Sequence, residues 1–384
     1  MNDKKKVLVI SYVFSPNNTV RAFVVYKALC KKYETNILYA DFDHYSKKHI
    51  TYDNSDYKSI HVPSYKKNLS IMRMVSTLIF GVKLNKEIKK LNPDLVYVII
   101  PANSSGFFVS KLCNKLGIPC VVDVVDLHPE SLPLNERLKT VGDFFGLYWW
   151  KKIREVTIKN ANKVILECNY YKKIIKEVYL PKTTTVYLTK QSSTALTSYN
   201  ALHNNSINIL YLGSIGHIYD FESIIYICEE LNKRNIDYKL HIIGDGVKRK
   251  WLIDKLKSKK LNFKYYGKIY NESEKQKIME ICDFGFNGFK KETSVGLSYK
   301  SIDYMDYGLA LINSCKEDTW NLIEDYEAGI NYNPDNLKTL VDEIATKSIN
   351  DIIKMKKNSR VLFDKFFDKE IFEKNINNQI KDLL

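Results

Sequence analysis

Glycine (15) and proline (9) are scarce in this chain of 384 residues, which argues against a fibrous or loop-rich protein. Its seven cysteines, Cys30, Cys113, Cys120, Cys168, Cys228, Cys282 and Cys315, are scattered, and none forms a C-x-x-C pair. Neither a disulfide framework nor a thiolate metal site is expected, and the scatter fits a reducing cytosol. Long apolar runs are missing too. No stretch approaches the ~18 apolar residues of a membrane span. The run from Ile71 to Leu84 is broken by Arg73, Ser76, Thr77 and Lys83. The opening Met-Asn-Asp-Lys-Lys-Lys and the short strand after it lack the apolar length and cleavage site of a signal peptide. Acidic residues are in deficit, 44 against 59 basic, for a net charge of +15.

Hydrophobic residues make up 45% and aromatics 12%, too many for a disordered chain. The length suits two domains. The charge is unevenly placed. Residues 1–200 hold 31 basic and 16 acidic side chains, while the remainder holds 28 of each. The first half therefore carries the whole excess and is expected to meet an anionic partner.

Strand-like and helix-like runs alternate, the α/β pattern. Strands are expected at Val7–Val13, Asn36–Ala40, Leu95–Ile100, Cys120–Val125, Lys163–Glu167 and Thr185–Leu188. A long helix is expected from Leu69 to Leu91, with Ile71, Met74, Val75, Leu78 and Val82 on one face. From Thr189 to Ser206 the pattern fails in a polar, aperiodic linker. After it the alternation restarts with strands at Ile207–Leu212, Tyr238–Ile243, Phe263–Tyr266, Phe284–Phe286, Ala310–Asn313 and Gly329–Tyr332. The division expected is an acceptor-binding domain at 1–190, a linker at 191–206 and a second domain at 207–350. A helical segment at 351–384 is expected to return toward the first domain.

Several motifs could carry chemistry. Tyr211-Leu-Gly213-Ser-Ile-Gly216-His is a strand ending in a glycine turn before a helix, a place where backbone N–H groups face an anion. Ile243-Gly244-Asp-Gly246 repeats the device, followed by Lys248-Arg-Lys. The run from Glu292 to Ile312 is the most specific. Gly296 and Ser298 precede a short helix, Lys300 lies in its first turn, and Asp303 shares its face. A cation in a first turn is unfavourable unless an anion is near, so phosphates for Lys300 and ribose hydroxyls for Asp303 are the expected partners. In the first half, Asp126, His128 and Glu130 follow a strand end, where a carboxylate or imidazole could take an acceptor's proton. Asn17, Asn18 and Arg21 lie in the first strand's loop, with Arg21 in reach of an anion. Phe144 to Arg154 sets aromatics against a basic cluster. Lys83, Lys86, Trp149, Trp150, Lys151 and Lys152 are the expected membrane contacts. No nucleic-acid recognition motif is present.

The run Lys300–Gly308, with Gly213, Ile243–Gly246, Tyr266-Gly267 and Glu324 ahead of Ala328-Gly329-Ile330, resembles the donor-binding signature of family 4 glycosyltransferases. Val121 to Ser131 resembles the D-x-W-P-E-S segment of polysaccharide-assembly members. The resemblance implies the GT-B fold, two Rossmann-like parallel-sheet domains facing each other across a cleft. It implies a retaining transfer from a nucleotide-diphospho-sugar, UDP favoured, to a saccharide in capsule or exopolysaccharide synthesis; that this acceptor is lipid-linked is expected from the charge asymmetry. The enzyme would sit on the inner face of the membrane, with a protein of the same assembly pathway as a possible partner. The nucleotide-sugar is a co-substrate, and no cofactor is expected. No acidic D-x-D pair stands at a strand end, so transfer without a metal is expected. In the family's Glu-x7-Glu motif, Asp303 takes the second place and Val295 the first, with Glu292 three residues earlier. Ser214 and Tyr219 stand where many members carry Arg and Lys. A non-catalytic partner subunit and a nucleotide-sugar epimerase on the same fold are the alternatives.

Overall fold

The computed structural model describes residues 4–16, 20–68, 70–130, 147–192, 206–293 and 295–384. The chain divides into two units. Met1–Leu188 with Phe372–Leu384 form the first, and Thr189–Ile371 the second. The C-terminal segment expected to return as a whole is thus split: the helix Ile349–Leu362 belongs to the second unit and the end of the chain to the first. Most of the expected linker, 193–205, lies outside the described residues.

The first unit holds a parallel sheet of seven strands: β1 (Lys6–Ser11), β2 (Glu34–Ala40), β3 (Tyr57–Ile60), β4 (Leu95–Ile100), β5 (Cys120–Val124), β6 (Lys163–Leu166) and β7 (Thr183–Thr185). Their order is β3-β2-β1-β4-β5-β6-β7. β4 reads Leu-Val-Tyr-Val-Ile-Ile and is buried throughout, because helices cover both faces of such a sheet. Leu8, Ile10, Val96, Val98 and Ile100 pack on one side with Phe80, Leu84 and Ile88. Val7, Val9, Tyr97 and Ile99 pack on the other with Val25, Leu29, Phe372, Ile376 and Ile380.

The second unit holds six parallel strands: β8 (Ile207–Ser214), β9 (Tyr238–Asp245), β10 (Phe263–Gly267), β11 (Phe284–Asn287), β12 (Ala310–Asn313) and β13 (Gly329–Asn331). The order is β10-β9-β8-β11-β12-β13. In each sheet the chain order reverses once, beside β1 and beside β8. The crevice past the strand ends at such a reversal is where open α/β sheets take their ligands.

Three expectations are corrected. β3 was not foreseen, because Tyr-Lys-Ser-Ile carries almost no apolar pattern and only Ile60 is buried. The last strand of the first sheet is Thr183–Thr185, two residues earlier than expected. In the helix Ile71–Leu91 the grouped residues do share a face, but it points outward. Ile71 is 78% exposed, Met74 56%, Leu78 48% and Val82 51%. Ser76, Phe80, Gly81, Leu84 and Ile88 are buried instead. A Cβ on Gly81 would stand 2.8 Å from Phe108 Cδ2 and 3.1 Å from Ser104 O, so small residues set this helix crossing.

Candidate functional site

At the reversal point of the second sheet, β8 and β9 end in glycines paired in register, Gly213 with Gly244. Their φ angles are +124° and +145°, a region that L side chains rarely adopt. A Cβ on Gly244 would fall 1.8 Å from Gly213 O. Gly244→Ala is therefore expected to destabilise the second unit by about 2 kcal/mol or more, as a lower denaturation midpoint. Past the strand ends the two loops lace together. Ile215 N–H donates to Asp245 O (2.9 Å) and Lys248 N–H to Ile215 O (3.0 Å). The Lys248 ammonium lies 5.0 Å from the Trp251 ring centroid. Gly216 sits open beside Ser214 and Tyr219.

Lys300 enters this crevice from the first turn of the helix Tyr299–Asp306. Its stem passes under Gly213, where a Cβ would stand 3.2 Å from Lys300 Cδ. The residue is only 7% exposed. Its ammonium lies 3.3 Å from the Tyr219 ring centroid, 4.6 Å from Tyr211 and 5.1 Å from Phe289. The Tyr211 hydroxyl accepts from it at 3.5 Å. Among the described residues no carboxylate pairs with it. The neighbouring Cys315 thiol is pushed up to about 12 by burial and stays neutral. Burial accordingly holds the Lys300 ammonium well below its usual range. The three-ring cage is a feature that sequence reasoning missed. The Tyr219 ring lies directly against the Lys300 ammonium.

Other expected donor residues have structural work. Ser298 caps the helix: its Oγ accepts Ser301 N–H (3.2 Å), and its hydroxyl donates to Asn287 Oδ1 (2.9 Å). Ser298→Ala is expected to lose about 1 kcal/mol of stability, while nucleotide affinity changes far less than on losing Lys300. The Gly296 carbonyl accepts both Thr319 N–H (2.9 Å) and the Thr319 hydroxyl (3.0 Å). Glu292 is exposed on the preceding turn. Asp303 is joined to Lys190 (2.7 Å), which also meets the buried Asp306 (3.0 Å). Burial lowers the Lys190 pKa, and the two carboxylates outweigh that and leave it raised.

In the first unit, Asp126, His128 and Glu130 follow β5. Asp126 is exposed. Glu130 is held by a two-pronged ion pair with Arg154, whose Nη2 donates at 2.8 Å. Arg154 also donates to the His128 carbonyl (2.8 Å), and Asn103 does so at 3.2 Å. The His128 ring meets Trp150 edge-on at 5.9 Å. Burial lowers its pKa from the ordinary value against the pull of Asp126, so the imidazole is neutral near pH 7.

Arg21 is not a loop cation. It is 6% exposed and bonded to Asp123 Oδ2 (2.8 Å), Val186 O (2.9 Å) and Tyr187 O (3.2 Å). Three of its five N–H groups are spent on these internal acceptors, and its burial keeps it from a ligand in the loop. Asn17 and Asn18 lie outside the described residues, as do Phe144 and Phe145. Trp149 is 69% exposed. Lys83 and Lys86 are exposed, while Trp150, Lys151 and Lys152 are half-buried. No helix among the described residues is long and apolar enough to cross a membrane.

Residues 206–347 match the family described as "Glycosyl transferases group 1". No curated protein matches the chain by sequence. Among solved structures, sucrose-phosphate synthase of Thermosynechococcus elongatus superposes with a TM-score of 0.74 at 12% identity, over 99% of each chain. The lipopolysaccharide outer core galactosyltransferase WaaB, in its apo form, gives 0.68 at 16%, over 99% of this chain and 100% of that one. Anabaena HepE in complex with UDP-glucose gives 0.64 at 12%, over 98% and 99%. The two parallel-sheet units thus have the GT-B fold, and the second carries the match to group 1 glycosyl transferases.

Proposed function

We propose that the chain is a retaining glycosyltransferase, moving a sugar from a nucleotide-diphospho-sugar to a lipid-linked saccharide in surface-glycan synthesis. The observation that carries the reading is Lys300, a buried cation at a helix N-terminus with rings and no carboxylate around it. A diphosphate supplies the missing negative charge, and the N–H groups past Gly213 supply its hydrogen bonds. UDP is favoured as the nucleotide, in keeping with the HepE complex. In the transfer, the acceptor oxygen bonds the anomeric carbon as the carbon–oxygen bond to the diphosphate breaks. The acceptor proton passes to the leaving phosphate. His128, neutral and half-buried, is the group we assign to orient the acceptor hydroxyl. No metal is assigned a part in this step.

The lipid-linked acceptor rests on the first unit. The outward stripe Ile71, Met74, Leu78 and Val82 is bordered by Lys83, Lys86, Lys89 and Lys90 on the same helix. Apolar side chains beside lysines match an anionic leaflet. The protein is expected to sediment with anionic liposomes and not with neutral ones, and to be released by salt. Equal, salt-insensitive recovery on both would remove this part of the reading.

Titration with UDP, GDP and a panel of UDP-sugars tests the donor site. Saturable binding of a UDP-sugar, followed by sugar transfer to a lipid-linked saccharide, is the expected result. One observation favours a non-catalytic partner subunit: Val295 stands in the first acidic place of the motif, and Asp303 is tied to Lys190. Failure to bind any nucleotide would support that second reading.

A further inference from the structure

A cluster of metal-ligating side chains stands apart from everything used above. β2 and β3 pair in register with Ala40 opposite Ile60, so the residues that follow, Asp41 and His61, leave the sheet edge side by side. The intervening chain folds back and brings His49 to the same point. Its bridge to Phe42 and the Ile50 N–H bond to Asp41 O (2.7 Å) fix it there. His61 Nδ1 lies 2.7 Å from Asp41 Oδ2, and His49 Nδ1 lies 3.1 Å from Asp41 Oδ1. One ligand atom from each residue falls within 4.8 Å of the other two. The two imidazoles stack, with centroids 5.0 Å apart and planes at 29°.

The surroundings hold these groups ready. Asp41 N–H donates to Ile60 O (3.0 Å), and Val62 N–H donates to Asp41 Oδ1 (3.0 Å). Lys83 Nζ donates to the His61 carbonyl (2.8 Å), which anchors the third ligand's backbone. Asp41 is 10% exposed at its side chain, against 40% for His49 and 74% for His61. A buried anion thus stands under two imidazoles that are open to solvent.

We propose that Asp41, His49 and His61 form a binding site for a divalent transition-metal ion, with zinc as the leading candidate. Two imidazole nitrogens and one carboxylate suit Zn²⁺, Co²⁺, Ni²⁺ or Cu²⁺, whereas Mg²⁺ and Ca²⁺ demand oxygen ligands. At bond lengths of about 2.0–2.1 Å the ligand atoms of a tetrahedral zinc stand about 3.4 Å apart. The two imidazoles stand 2.7 and 3.1 Å from different oxygens of Asp41, and one ligand atom from each residue lies within 4.8 Å of the others, so side-chain shifts of about 1 Å bring the three to that spacing. The ion takes the place of the contact between each Nδ1 and Asp41, the displaced hydrogen being carried on Nε2 or released to water, and water fills its open side. Its task is mechanical: it ties the ends of β2 and β3 to the loop between them.

The test uses the full chain, stripped with a chelator and titrated with Zn²⁺, and with Co²⁺ as a spectroscopic probe. One equivalent is expected to bind, to raise the melting temperature and to give a Co²⁺ spectrum of mixed nitrogen and oxygen ligation. His49→Ala or His61→Ala is expected to weaken binding by about 100-fold, since even outer-shell partners are worth 10–100-fold. The double variant should abolish both the binding and the thermal shift. Both imidazoles are solvent-facing, so these variants keep the fold, and an unchanged circular dichroism spectrum checks it. Undiminished zinc binding in the double variant, no stoichiometric binding to the wild type, or equal affinity for Mg²⁺ would each overturn the proposal.

Discussion

Lys300→Ala is expected to weaken UDP-sugar binding by about 10- to 100-fold, the value of a charge-assisted hydrogen bond of about 1.5–3 kcal/mol. The loss falls on the donor KM and on the dissociation constant of UDP. Stability should not fall with it, because a buried ammonium without a counter-ion costs folding energy that alanine does not. Arginine should not restore binding, since the stem is wedged under Gly213 and capped by Tyr219, with no room for a planar fork. A pH signature accompanies the loss. Burial holds the Lys300 pKa well below its usual range in the free protein, and an arriving diphosphate raises it. Affinity is then greatest below the free-protein value. It falls by up to about tenfold per pH unit above that value, with one proton taken up on binding. A UDP-sugar suits the measurement because its diphosphate diester does not titrate near neutrality. Calorimetry in buffers of different ionisation heat reads the proton directly. PH-independent affinity without proton uptake would show that Lys300 is charged beforehand.

Arg21→Ala is expected to be the most damaging single change to the fold, costing about 3–5 kcal/mol. Asp123 is fully buried, and its Oδ2 accepts from Arg21 Nε (2.8 Å) and the Tyr97 hydroxyl (2.7 Å). Without the guanidinium a carboxylate is stranded in the sheet. The same guanidinium holds the carbonyls of Val186 and Tyr187, so the end of the first unit's sheet loses its tie as well. Lysine cannot span these three acceptors from one point and should recover little. Removing both charges in the double variant Arg21→Ala with Asp123→Asn should cost less than Arg21→Ala alone, because no unpaired anion remains. Urea denaturation monitored by circular dichroism checks the order. A single-site loss below about 1 kcal/mol would mean that water reaches Asp123.

The sheet strands were legible because buried parallel strands read as continuous apolar runs; Leu95–Ile100 is one such case. β3 was hidden, since an edge strand with one buried residue has no period to read. The glycine turns and Lys300 were legible as local chemistry: a cation in a first helical turn and glycines at strand ends have few other reasons to occur together. The ring cage was not, because Tyr211, Tyr219 and Phe289 come from three separate loops and strands and meet only in the folded unit. Arg21 shows the opposite failure. A basic residue after a loop looks like a ligand contact until its buried partner, 102 residues away, is known. The Asp41, His49 and His61 cluster was invisible for the same reason, since strand register and not spacing unites it.

Phe372, Ile376 and Ile380 fill the core of the first unit, although they follow the whole of the second in sequence. A ribosome that has delivered residues 1–188 has therefore not yet delivered everything that unit needs. The second unit is complete by Ile371 and can mature while its elder neighbour waits with Val9, Val25 and Tyr97 uncovered. A stop codon directly after Ile371 would strike the domain that was translated first.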